Sequence, residues 1–274
     1  MTKLWFTLLL LVIGAATPGA RATGGERPAV LLIAGTKPLA PGRHDYAAAL
    51  TKLRTTLANG AAVSPTLLTG WPRGPLHARV IVIYSGGGDD HLLRDEGARR
   101  ALRVALDQGA GLVALHSTLD AQGDAAAALE GWLNARPASS PARATRGSWP
   151  AAFAKLPEHP ITRGVSPFSL DDEWYQRLEM LPGAGVTPLL QTVPPEPFRL
   201  APEPRAEVLA WAFQRPDGGR SVAVAGGHFL DSWNDPALMR LLANSVLWAA
   251  GIEVPSTGAV LAAPAPAHPK QRAK

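Results

Sequence analysis

An α/β fold built on a mostly parallel sheet is what the sequence predicts, and three observations predict it. Continuous apolar runs at Pro28–Ala34, Val80–Tyr84, Gly111–Leu115 and Ser221–Ala225 read as strands covered on both faces. Segments with apolar residues at helical spacing lie between them, and this alternation means βαβ units with right-handed crossovers. Each of the four runs leads into a polar, glycine-flanked loop. In a parallel sheet such loops share one edge, where distant residues converge.

Taken in order, the chain opens with Lys3, an apolar run from Leu4 to Ala16, and Ala20-Arg21-Ala22, a small-x-small cleavage pattern. Residues 1–22 are expected to be a secretory signal peptide, which makes the mature protein periplasmic or secreted. The alternative, an uncleaved anchor, has a run short for a full span. No stable membrane insertion is expected after cleavage. A single domain is expected over residues 23–255. Gly35–Asp45 is a loop, and Leu50, Leu53 and Leu57 mark a helix from Tyr46 to Ala58 that Asn59-Gly60 stops. Ala62–Leu68 is a second strand. After Val80–Tyr84 comes Ser85-Gly86-Gly87-Gly88-Asp89-Asp90-His91, then a helix to about Gln108. Gly111–Leu115 runs into His116-Ser117, and Asp124–Leu133 is helical.

Ala135–Ala154, rich in Ala, Arg, Pro and Ser, is expected to be an irregular surface excursion. Asp171-Asp172-Glu173-Trp174-Tyr175 places acids beside aromatics on a loop that would join the site by folding over the sheet edge. Val186–Gln191 and Val208–Phe213 are further strands, while the proline-dense link from Pro194 to Pro204 cannot be a central one. The last strand leads through Gly226-Gly227 to His228. Asp235 caps a helix with Pro236 at its first position, and Gly251 ends it. Ser256–Lys274 is Ala/Pro-rich with Lys270, Arg272 and Lys274, and is expected to be a disordered tail.

The formal charge of +5 includes Lys3, Arg21 and the three basic tail residues, so the body between is neutral. Nothing in that balance points to nucleic acid as a partner. There are 0 cysteines, which removes disulfides, thiolate zinc sites and cysteine nucleophiles.

His44, His91, His116 and His228 all fall on the predicted edge, four of 7 histidines. His116 suits an acid/base or a ligand, since imidazole titrates near neutral pH; the alternative is a buried ring bonded to backbone. Ser117 lacks a G-x-S-x-G context for a nucleophile. Ser85, Gly86 and Gly87, with Asp89 and His91 nearby, offer either a backbone cradle for an anion or a tight turn. Glu173 beside Trp174 and Tyr175 resembles a sugar site: a carboxylate with a raised pKa next to aromatic platforms, Trp233 being a third. The alternative is an acid bonded to backbone amides. His44, His116 and His228 with a carboxylate also suit zinc or another divalent ion, assembled only by tertiary convergence.

The ordered set RHDY (Arg43–Tyr46), GLVALHS (Gly111–Ser117), HPITRG (His159–Gly164), DDEWY (Asp171–Tyr175), GGR (Gly218–Arg220), GGHF (Gly226–Phe229) and LLANSVLWAAG (Leu241–Gly251) resembles ThuA-like, trehalose-utilisation domains. That resemblance covers about Pro28–Pro255. It implies a flavodoxin-like three-layer sandwich related to class I glutamine amidotransferases, with His116-Ser117 near the amidotransferase cysteine elbow. Without cysteine, thiolate hydrolysis of glutamine is impossible. The resemblance also implies a role with disaccharides, including keto-sugars, and carries His44, His116, Glu173 and His228 over as site residues. The chain departs from the family pattern between Thr118 and Glu158. Two functions follow as expectations: a carbohydrate hydrolase or isomerase using His/Glu chemistry, with or without metal, or a non-catalytic sugar-binding module with the same pocket. A small carbohydrate is the expected partner, and homo-oligomerisation stays open.

Overall fold

The computed structural model describes residues 26–137, 145–183, 185–199 and 203–261. The expected signal peptide and the tail beyond residue 261 lie outside them. In chain order the elements are β1 (Ala29–Ala34), α1 (Tyr46–Gly60), β2 (Ser64–Thr69), β3 (Val80–Tyr84), α2 (Glu96–Asp107), β4 (Gly111–Leu115) and α3 (Gly123–Leu133). Then follow β5 (Ala135–Pro137), β6 (Thr145–Phe153), β7 (Phe168–Gln176), β8 (Leu178–Met180), β9 (Val186–Thr192), β10 (Glu207–Gln214), β11 (Arg220–Val224) and α4 (Pro236–Ala249).

Seven strands form the central sheet in the order β2-β1-β3-β4-β11-β10-β9. The first five are mutually parallel, and β10 and β9 continue the sheet antiparallel. The parallel part has the doubly wound flavodoxin-like order, with the strand sequence reversing between β1 and β3. Every residue of β3 and β4 is buried, which explains their unbroken apolar sequences. Helix starts are set by acids: Asp45 accepts from Ala48 N, Asp95 from Ala98 N, and Asp235 from both Ala237 N and Leu238 N.

Two short antiparallel pairs stand outside the sheet, β5 with β8 and β6 with β7. They correct the expectation of an irregular excursion over Ala135–Ala154. They also correct the acidic-aromatic loop: Asp171–Tyr175 is the centre of the nine-residue strand β7. Its partner β6 hides its period in small residues. Gly147, Trp149, Ala151 and Phe153 are buried and Arg146, Ser148, Pro150 and Ala152 are exposed, a strict alternation without an apolar run. The helix after the Gly86–Gly88 run begins only at Glu96, behind two 3-10 turns.

The body also runs past its expected end at residue 255. Ala259 is buried, and its N–H bonds the Oδ1 of Asn244 on α4. Asn244 Nδ2 in turn bonds the carbonyls of Ile161 and Arg163. Gly258 and Ala259 are therefore packed against the body, while Ser256, Thr257 and Val260 are exposed.

Candidate metal-binding site

The loops after β1, β4 and β11 meet at the carboxyl edge, as the topology requires. His116 follows β4 directly, and its Nδ1 lies 2.9 Å from the carbonyl of Ala225, just past the neighbouring β11. A carbonyl only accepts, so Nδ1 carries the proton and Nε2 presents a bare lone pair. His44 and His228 are drawn together by backbone: His44 N donates to His228 O at 3.0 Å, and Leu230 N to Gly42 O at 2.9 Å. Both His44 and His116 hold left-handed backbone, with φ of 48° and 47°. Residues other than glycine keep such a conformation at a cost of about 1–3 kcal/mol, and its occurrence clusters at functional sites.

Glu173 arrives from the ribbon. β7 lies across the end of β11, pinned by Tyr175 N to Ala225 O. Side-chain direction alternates along β7, so Glu173 points at the histidines while Asp172 and Trp174 face the other way. Asp172 is fully buried and receives four backbone N–H groups: Gly227, His228 and Phe229 from the loop, and Glu173. Burial pushes its carboxyl up to about 6 against those bonds, which pull it down. Bonding to backbone amides was the alternative reading for Glu173; it falls on Asp172 instead. The signal was present in sequence, since Gly226-Gly227 beside a histidine leaves successive amides free to turn toward one acceptor.

Four donor atoms converge: a ring nitrogen each from His44, His116 and His228, and an oxygen of Glu173, all within 4.8 Å of one another. His116 Nε2 is 3.0 Å from His44 Nε2, 3.3 Å from His228 Nδ1 and 3.7 Å from Glu173 Oε1. His228 Nδ1 is 3.2 Å from Glu173 Oε1. Donors placed tetrahedrally at about 2.0–2.1 Å from a zinc ion stand about 3.3 Å apart. Four of the six edges, from 3.0 to 3.7 Å, bracket that value, and the whole set stays within 4.8 Å. Hydrogen bonding alone serves the cluster poorly. The single lone pair on His116 Nε2 faces three groups, and Glu173 Oε1 is buried without a hydrogen-bond partner. The donor set and its orphaned oxygen fit a divalent cation.

Protonation suits the same reading. Burial holds His44 down, to about 4, and drives His116 well below the usual imidazole range. Burial raises the Glu173 carboxyl, but the closeness of the His228 ring and the charge of Arg146 outweigh it and hold it below the ordinary value. Neutral imidazoles with an ionised carboxylate are the forms that ligate. Tyr46 supports the cluster from behind, its hydroxyl 3.3 Å from His44 Nδ1.

The other sequence-predicted residues do not join the cluster's donors. Trp174 is 0% exposed, gives its Nε1–H to Trp149 O, and lies where a Cβ on Gly226 would be 2.4 Å from its ring. Tyr175 is 2% exposed, edge-on to His116. Trp233, also 2% exposed, stacks on Tyr84 and donates to Gly227 O. None offers a free face to a sugar, because each ring packs the floor that carries the loops. His91 is buried and spent on backbone: Nδ1 accepts from Leu93 N and Nε2 donates to Thr118 O. Ser85 is fully buried, and its N–H and C=O bond Thr118 and Ser117. A Cβ on Gly86 or Gly87 would meet Asp90 or Asp120, so these glycines serve close packing against carboxylates, the opposite of an anion cradle. Asp89 is exposed and paired with Arg94. Sequence reasoning missed Arg146, whose Nε is 3.5 Å from Glu173 Oε1. A solvent-open groove of 830 Å³ runs along Arg43, Asp171 and Phe229, and none of the four donors lines it.

A doubly wound α/β protein with three histidines and a glutamate clustered at the carboxyl edge of its sheet is the class that fold and site define. The chain belongs to the ThuA family, described as trehalose utilisation, whose model matches residues 41–249. Two solved structures share the fold. A ThuA-like protein from Bacteroides uniformis is 16% identical with a TM-score of 0.62, matching 85% of this chain and 95% of its own. One from Parabacteroides merdae is 15% identical with a TM-score of 0.62, matching 86% of this chain and 98% of its own. None of the curated proteins matches the sequence. Family membership gives the chain a carbohydrate-related role.

Proposed function

We propose that this is an exported, metal-dependent enzyme acting on a disaccharide or keto-sugar. The observation that carries the reading is the convergence of four donor atoms within 4.8 Å of one another, the unpartnered Oε1 of Glu173 among them. His44, His116, His228 and Glu173 would hold the ion. A bound divalent ion polarises a sugar carbonyl or hydroxyl and lowers the pKa of its water. The chain's own residues supply the rest. Ala225 O fixes the His116 tautomer, and Tyr46 meets the outer nitrogen of His44. Asp172 clamps the loop that bears His228. Such outer contacts orient ligands and tune their basicity. Export rests on the charged start, apolar run and cleavage pattern of residues 1–22. The aromatic platforms were common to this reading and to the sugar-binding-module alternative, and the burial of all three rings withdraws them from both; turnover separates the two.

The test is the metal content of untagged protein beginning at residue 23. About one divalent ion per chain is expected, lost in His228→Ala and in the half-buried His44→Gln, with the fold intact by circular dichroism. Folded wild type that takes up no zinc, manganese or other divalent ion on dialysis would sink the metal reading. Turnover of disaccharides and keto-sugars is then measured with the ion present.

A further inference from the structure

Arg146 stands at the open side of the donor cluster. Strand register sets Ser148 opposite Glu173 and Arg146 opposite Tyr175. Arg146 is thereby the diagonal neighbour of Glu173 on one face of the ribbon, within reach for long side chains. Its side chain is 53% exposed, whereas Glu173 is 16% exposed, so the guanidinium looks outward over the carboxylate. The Nε–Oε1 separation of 3.5 Å is longer than a good hydrogen bond and is not the two-pronged pairing an arginine makes when a carboxylate is its full partner.

The arrangement changes when Glu173 serves a cation. A carboxylate held by a divalent ion has little negative charge left for a neighbouring guanidinium. Two cations then face one another across a partly buried site, where repulsion is weakly screened. An anion seated between them relieves it. Arginine is suited to that place, because its planar fork matches a carboxylate and its charge is permanent.

We propose that Arg146 selects a sugar that carries a carboxylate, an aldonic or uronic acid, pairing with the acid group while a neighbouring sugar oxygen meets the four-donor cluster. This deepens the metal-site reading and rests on it. Arg146 is a specificity residue in this account and takes no part in holding the ion.

The experiment uses the mature chain, from residue 23 on, with its metal content counted first and then loaded with zinc. Gluconate, glucuronate and glucose are titrated calorimetrically into wild type, Arg146→Gln and Arg146→Lys. The acids are expected to bind wild type about tenfold or more tightly than glucose, a difference that shrinks with added salt. Arg146→Gln is expected to erase the preference while keeping its zinc, and Arg146→Lys to retain part of it. Equal binding of acids and glucose, no binding of either, or a preference that survives in Arg146→Gln overturns the proposal. Failure of the metal reading is separate, since it appears as wild type without zinc. That outcome overturns the claim about Arg146 as well, whereas zinc-loaded protein without a preference for the acids overturns the Arg146 claim alone.

Discussion

At the scale of single residues, the site depends on Asp172 as much as on the groups that face solvent. Four N–H groups end on its carboxylate, and three of them belong to the loop that carries His228. Asp172→Asn replaces one acceptor oxygen with an amide donor that faces other donors. A loss of about 2–3 kcal/mol in urea unfolding is expected, because a buried N–H left without a partner costs about 1–3 kcal/mol. Zinc affinity should drop about tenfold or more as the loop loosens. Asp171→Asn, at an exposed position on the other face of β7, should shift stability by no more than about 0.5 kcal/mol. Equal stability of the Asp172 and Asp171 variants would show that the loop is held some other way. Sequence reading found the histidines and Glu173 because loops after parallel strands converge. It assigns no role to Asp172, because an acid in a run ordinarily faces water. Only the alternation of β7, invisible while the segment was read as a loop, sends Asp171 outward and Asp172 inward. The same alternation turns Trp174 away from Glu173.

At the scale of elements, the sheet was legible and the ribbon was not. Strands buried on both faces declare themselves by unbroken apolar runs, and Gly111–Leu115 and Val80–Tyr84 match residue for residue. β6 buries one face only, using Gly147, Trp149, Ala151 and Phe153, and its exposed Pro150 and Ser148 look like loop chemistry. Two glycines separate the constraints on elements. Gly131 is on the exposed face of α3, and a Cβ there would meet nothing within 4 Å. Gly131→Ala should therefore stabilise by about 0.5–1 kcal/mol through lower backbone entropy in the unfolded chain. Gly226 has the ring of Trp174 where its Cβ would go, at 2.4 Å. Gly226→Ala should cost about 2 kcal/mol or more, within the range for overpacking a filled core. Thermal melts of the two variants in opposite directions check both assignments; a neutral Gly226→Ala would mean that β7 shifts freely on β11.

At the scale of the molecule, convergence on one sheet edge follows from topology, and the ion does not. No short spacing encodes the cluster: His44, His116, Glu173 and His228 come from four separate segments, and only their packed donor distances point to a cation. The segment Ser256–Leu261 belongs to a stretch that reads as an Ala/Pro-rich tail. In the fold it closes over α4, with Ala259 bonded to Asn244 and Thr257 O packed against Gly164. A chain ending at residue 261 should melt like the longer protein. One ending at residue 255 strands the Asn244 carbonyl and should lose about 1–3 kcal/mol, or several degrees in Tm. If the two truncations melt together, the segment contributes nothing to the fold.

The place of β11 in the sheet orders events in time. Among the described residues it is the last strand made, yet it lies between β4 and β10. A ribosome-bound chain lacking it displays β4 as a naked edge, competent to pair with any other extended chain. The same nascent chain holds His44, His116 and Glu173 but no His228. Completion of the site and removal of the sticky edge are thus one event, reached only after about four-fifths of the chain has been synthesised. A molecule stalled earlier is at once unable to assemble the four-donor cluster and most prone to aggregate, so the same defect that leaves the cluster incomplete exposes the chain to quality-control proteases.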